Sequence, residues 1–139
     1  MDKYQLLLND LKEILETVGE INYVSHGKVK ALDQEDTFTS VYISPEMDNF
    51  ENYINGTGLH SYMNTFYVRL TAHVDCSDDD LLWAETRRSI IEAVLQDNAI
   101  WANIVDRDIV SVAHDDYTNF PRKAIIFLFE FRLREDCVV

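Results

Sequence analysis

From Phe66 to Val74 every second residue is apolar, with Tyr67, Arg69, Thr71, His73 and Asp75 interleaved. Successive side chains of a strand point to opposite faces, so this run predicts a strand with one buried face, and it places His73 and Asp75 on the other. The segment AIIFLFEFRLRE, residues 124–135, is more demanding. Ile125, Phe127, Phe129, Phe131 and Leu133 fall on one side, while Ala124, Ile126 and Leu128 precede Glu130, Arg132 and Arg134 on the other. A strand that is apolar on both faces over its first half belongs in the middle of a sheet. Two such strands require an apolar layer to cover them.

An amphipathic helix supplies that cover. Tyr4, Leu7, Leu8, Leu11, Ile14, Leu15 and Val18 recur at spacings of three and four, so all seven share one helical face. Asp2 and Gln5 have the spacing of a capping box, and Gly19 suits a left-handed stop. A second helix is expected from about Asp78 to Asp97, with Leu82, Trp83, Ile90, Ile91, Val94 and Leu95 facing inward. Strands are expected over Ile21 to Lys28, weakened by Gly27, over TFTSVYIS ending at Pro45, and at IVSVAH. The order α-β-β-β-α-β-β predicts one α+β domain spanning residues 1–139, a mostly antiparallel sheet with both helices packed on one face. A chain of 139 residues can bury roughly two-thirds of its unfolded surface, so no metal or disulfide framework is needed to hold it.

Two polar stretches interrupt this pattern. PEMDNFENYINGTGLHS, residues 45–61, lacks sustained periodicity and reads as a long loop. DDYTNFPRK reads as a polar turn. Phe50, Tyr53 and Ile54 in the first, and Tyr117 and Phe120 in the second, either fold back on the domain or anchor a partner. Trp101, just past the second helix, is read both as a core residue and as a surface anchor. These six residues are the candidate contacts to another subunit or protein.

The segment HVDCSDDD, residues 73–80, combines metal-ligating residue types. A calcium loop spreads oxygen ligands over about twelve residues around a glycine, and zinc wants further Cys or His at regular spacing. Neither pattern occurs. Ser77 and Asp80 have the S-x-x-D spacing of a capping box, and aspartates in a first helical turn are favoured by the helix dipole. The expectation is therefore a helix start, with no metal and no cofactor, and with His73 a half-exposed sheet residue. A divalent ion shared between subunits at Asp78–Asp80 is the competing reading. No nucleophile elbow, P-loop, dinucleotide fingerprint or paired-histidine motif is present, so no catalytic residue is assigned and no enzymatic activity is expected.

Charge excludes further classes. Twelve basic against twenty-five acidic residues give a net charge of -13, which repels phosphate and argues against gripping nucleic acid. No apolar run approaches the ~18 residues of a membrane span, and the N-terminus lacks a signal-peptide pattern. The two cysteines, Cys76 and Cys137, fit a reducing compartment.

Taken in order, LLLNDLKEILETV, SVYISPE, YVRLTAHVDCSDDDLLWAE, LQDNAIWANIV and the closing FEFRLRE resemble the tail terminator (minor tail protein U-like) family of long-tailed bacteriophages. The resemblance runs over nearly the whole chain and lies in the order and pattern of elements. It implies a non-enzymatic structural protein of the virion, assembled in the host cytoplasm. Such a protein closes as a homo-hexameric ring on the tail tube protein, stops tube growth and presents a surface to the head–tail connector. DNA would pass through the ring without specific binding, and the acidic charge would keep the duplex from adhering. Another small neck or tail-completion protein, or a cytoplasmic metal-binding module or accessory enzyme built on HVDCSDDD, are the alternatives.

Overall fold

The computed structural model describes residues 2–27, 39–54, 59–102, 104–116 and 122–138. Helix α1 (Lys3–Glu16) leads to strands β1 (Tyr23–His26), β2 (Ser40–Ile54) and β3 (Leu59–Asp75). Helix α2 (Leu82–Leu95), a short 3-10 turn (Ala99–Trp101), β4 (Asp106–Asp116) and β5 (Arg122–Val138) complete the chain. The five strands form one sheet in the order β1-β2-β3-β5-β4. Only the β1–β2 pair is parallel. The α+β class, the element order and the central place of β5 all follow the sequence pattern.

α1 starts as its sequence dictates. The Asp2 carboxylate accepts from the Gln5 amide N–H at 2.8 Å, and the Gln5 side chain accepts from the Asp2 N–H at 3.2 Å. Its end differs from expectation. Thr17 closes the helix in right-handed geometry, and its hydroxyl donates to the Ile14 carbonyl at 2.6 Å. Gly19 is not left-handed; the one positive φ among the described residues, +96°, is at Gly27, where β1 stops. There the Gly27 N–H donates to the Ile43 carbonyl at 2.9 Å.

The core lies between the helices and one face of the sheet. Leu7, Leu11 and Leu15 of α1 and Ile90 and Val94 of α2 meet Val68, Leu70, Phe127, Phe129 and Phe131. The three phenylalanines are fully buried, and burying each such ring contributes roughly 1.5–3 kcal/mol. Tyr4 stacks on Phe66 with ring centres 4.2 Å apart, fixing the first turn of α1 over the sheet. Ser89 of α2 donates to Glu20, just past α1, at 3.0 Å and ties the helical layer together. Thr86 is buried because its hydroxyl donates to the Leu82 carbonyl one turn back, at 2.9 Å.

Two expectations are overturned here. Residues 45–54 and 59–61 are not a loop; they extend β2 and β3 into a long hairpin paired residue by residue from Met47↔Tyr67 to Ile54↔His60. β5 continues alongside to Leu59↔Val138. The segment mixes polar and apolar residues without alternation, so its pairing to β3 sets its conformation. The ladder shifts register between Pro45 and Met47. Before the shift the odd-numbered positions, Val41 and Ile43, face the core; after it the even-numbered ones, Asp48 and Phe50, share the core-side register with Phe66 and Asn64.

α2 also begins later than expected, at Leu82, and Leu81 at its N-terminus makes no side-chain cap. Ser77 and Asp80 therefore form no capping box. Asp75 and Asp79 each accept from the N–H two residues on, at Ser77 and Leu81, both at 3.0 Å. Aspartates that bond so locally favour a turn over the first turn of a helix.

Candidate assembly surface

HVDCSDDD is dispersed by the fold. His73 is 4% exposed, on the sheet face opposite the helices, with its ring edge-on to Tyr42 at 5.7 Å. It is a buried residue, not the half-exposed one expected, because its register neighbours Ser40 and Ala124 are buried as well. Burial, and secondarily the nearby Arg122 cation, hold its pKa below the ordinary imidazole value. Val74 points into the core, and Cys76 is buried beside it, its thiol pKa raised chiefly by desolvation. Ser77, Asp78, Asp79 and Asp80 are exposed. Among the described residues no three His, Cys, Asp or Glu side chains converge as a metal site.

The six candidate contact residues separate. Phe50 lies on β2 and is 54% exposed. Tyr53 and Ile54 fall on the same strand, at its distal end. Trp101 is 3% exposed, its ring 5.8 Å from Phe131, so it is a core residue and not a surface anchor. Tyr117 and Phe120 lie outside the described residues.

Exposed apolar side chains mark the surface more clearly. Tyr23, Met47 and Phe50 are 42%, 57% and 54% exposed and lie on β1 and β2, at one side of the sheet. Val105 and Val110, 60% and 49% exposed, lie at the start of β4 and within it, at the opposite side. Val110 is turned out by a register shift between Ile109 and Ser111. Sequence reading missed Tyr23, Met47, Val105 and Val110. Met47 sat in a presumed loop, and Tyr23 and the valines are residue types that a buried strand would also contain.

β2, β3 and β5 outrun their neighbours and form a three-stranded arm. β1 pairs with β2 only over Ser40–Ile43, and β4 pairs with β5 only as far as Arg132. Beyond these points no strand among the described residues flanks the arm on either side. The outer strand β2 carries Glu46, Asp48 and Glu51 and no basic residue. Glu46 pairs with Arg69 across the bulge at 3.0 Å, both side chains nearly half exposed. On the opposite edge, β5 carries Arg132 and Arg134, and the Lys3 ammonium donates to the Arg134 carbonyl.

No known family model and no characterised protein matches the sequence. Among solved structures, the fold is similar to a chain of the "virion of native gene transfer agent (GTA) particle". The match has 14% identity and a TM-score of 0.49, covering 95% of this chain and 91% of that one. At this level the likeness is one of coarse architecture.

Proposed function

We propose that this chain is a structural virion protein of a long-tailed bacteriophage, a tail terminator whose copies close as a hexameric ring on the tail tube. The ring stops polymerisation and offers the joining surface to the head connector, without turnover of any substrate. The observation that carries this reading is the distribution of exposed apolar side chains. Tyr23, Met47 and Phe50 lie on one side of the sheet and Val105 and Val110 on the other. A ring is built from a heterologous interface, in which one side of each copy meets the other side of the next. Leu6 and Leu81 are exposed on the helical layer as well, but the two sheet rims supply the two unlike sides that geometry needs, and the order of elements agrees with the sequence resemblance. The net charge of -13 suits a passage through which DNA moves without sticking.

Native mass spectrometry over a concentration series, with and without magnesium, tests the reading. A hexamer that appears with concentration supports it, and a magnesium requirement would assign Asp78–Asp80 a bridging role. Addition of the protein to growing tail tubes should fix their length. A monomer or dimer that leaves tube growth unchanged overturns the reading.

A further inference from the structure

We infer that the first turn of α1 is a clasp for the arm, so that the arm and the start of the helix open and close together as one unit. Beyond Ile43 of β2 and Arg132 of β5 no strand among the described residues flanks the arm, so any further fastening has to come from outside the sheet. Two adjacent residues of α1 supply it and reach all three strands. The Tyr4 ring stacks on Phe66 of β3, with centres 4.2 Å apart. Phe66 pairs with Asp48 of β2, and burial, then the Asp48 carboxylate, raise the pKa of the Tyr4 phenol. Tyr4 thus stands near β2 as well. One residue earlier, the Lys3 ammonium donates to the Arg134 carbonyl of β5.

Lys3 is not a residue that a helix start selects. The N-terminus is the positive end of the helix dipole, and beyond the Asp2 cap no acidic residue in the first turn offsets the cation. Its bond to β5 accounts for a lysine there.

The arm is also weakly held from within. Asn64, whose ladder neighbours are Phe50 and Leu133, has no partner among the described residues for either polar atom. An unmet buried amide lowers the stability of the strands that enclose it. Helix ends fray readily, and segments of low stability open in contiguous cooperative units. The clasp joins two such segments. Their coupling is reciprocal: whatever holds the arm tightens the start of α1, and whatever loosens that start loosens the arm. This inference does not depend on the ring reading.

Hydrogen–deuterium exchange read by mass spectrometry tests it on the wild type, Asp2→Ala and Ser89→Ala. The bonds of Asp2, to Gln5 and Leu6, stay within the start of α1, so removing this cap reaches the arm only through the clasp. Ser89 donates to Glu20 past the other end of α1, and its loss weakens the helical layer away from the first turn. In the wild type, peptides covering 47–54 and 133–138 should exchange ahead of those covering 66–74 and 124–131. In Asp2→Ala the arm peptides should exchange about fivefold faster still, the scale of one lost cap, and in Ser89→Ala at the wild-type rate. Arm peptides that do not respond to Asp2→Ala overturn the clasp. So do arm peptides that exchange no faster than the body in the wild type. An equal response to Ser89→Ala also overturns it, since any loss of stability would then serve.

Discussion

The Arg107 guanidinium lies 5.3 Å from the centre of the Trp101 ring and at the same time holds the end of α2. Its Nε donates to the Val94 carbonyl at 3.0 Å, and Nη2 donates to those of Leu95 and Gln96, each at 3.2 Å. The last carbonyls of a helix lack intrahelical donors, and here one arginine from β4 supplies three bonds. Arg107→Ala should destabilise the fold by about 2–3 kcal/mol, the scale of bonds to a charged donor in a half-buried site. Arg107→Lys should recover only part, because an ammonium lacks the planar fork. Urea unfolding of the three proteins checks the order, and equal stability of Ala and Lys variants would contradict it.

Asn64 is fully buried, and among the described residues neither its Oδ1 nor its Nδ2 has a partner. Its register neighbours are Phe50 and Leu133, an apolar setting that leaves both polar atoms desolvated. Asn64→Leu should stabilise the protein by about 1–2 kcal/mol, the usual penalty of an unmet buried polar group. A loss of stability in thermal melts would show that the amide has partners after all.

Two glycines should respond oppositely to alanine. At Gly27 the φ of +96° lies in the region that side chains avoid, so Gly27→Ala should cost on the order of 1–2 kcal/mol. At Gly19 φ is ordinary and nothing lies within 4 Å of an added Cβ. Gly19→Ala should therefore stabilise by about 0.4–1 kcal/mol through the unfolded state. Paired denaturant titrations decide the sign at each site.

His73 makes stability depend on pH. Its folded pKa is lowered, mainly by burial, while in the unfolded chain it titrates near ~6.5. The unfolded state then binds more protons in the window between the two values, so the contribution is whole above ~6.5 and is lost as pH falls towards the folded value. His26, whose pKa is also lowered, adds the same sign. Asp10 and Asp48, raised by burial, act oppositely in the carboxylate range. Melting temperatures from about pH 7.5 to 5 should fall for the wild type and fall less for His73→Phe. An unchanged slope would remove His73 as the cause.

What was legible in the sequence is what packing repeats. The face of α1 from Leu7 to Val18, the buried side of β3 from Phe66 to Val74 and the core side of β5 all fall where their periodicity puts them. Each is held by many neighbours that agree with its own propensity. The arm was hidden because Met47–Ile54 shows no alternation and becomes a strand through its pairing to β3. The start of α2 was misplaced because Asp75 and Asp79 can serve a turn as well as a helix, and local bonding chose the turn. Of the candidate surface, Phe50 was found by its setting among polar residues. Trp101 was named for both core and surface and belongs to the core, since a tryptophan after a helix gives no sign of which way it faces, and Arg107 gave no signal in a run of alternating charges.

The register shift at Pro45/Met47 governs the shape of the arm more than its chemistry. Glu46 is the extra residue there, since Pro45 pairs with Val68 and Met47 with the adjoining Tyr67. Without Glu46 both pairings could stand, and Met47, Asp48 and Phe50 would keep their faces. What would go is the local bend and added twist that an extra residue gives a strand. In any closed assembly each copy is rotated from the last by one fixed angle, so a change in that angle is repeated at every joint. On the proposed ring, Glu46 would set the curvature at each joint, and its deletion should leave the subunit folded while altering how many copies close.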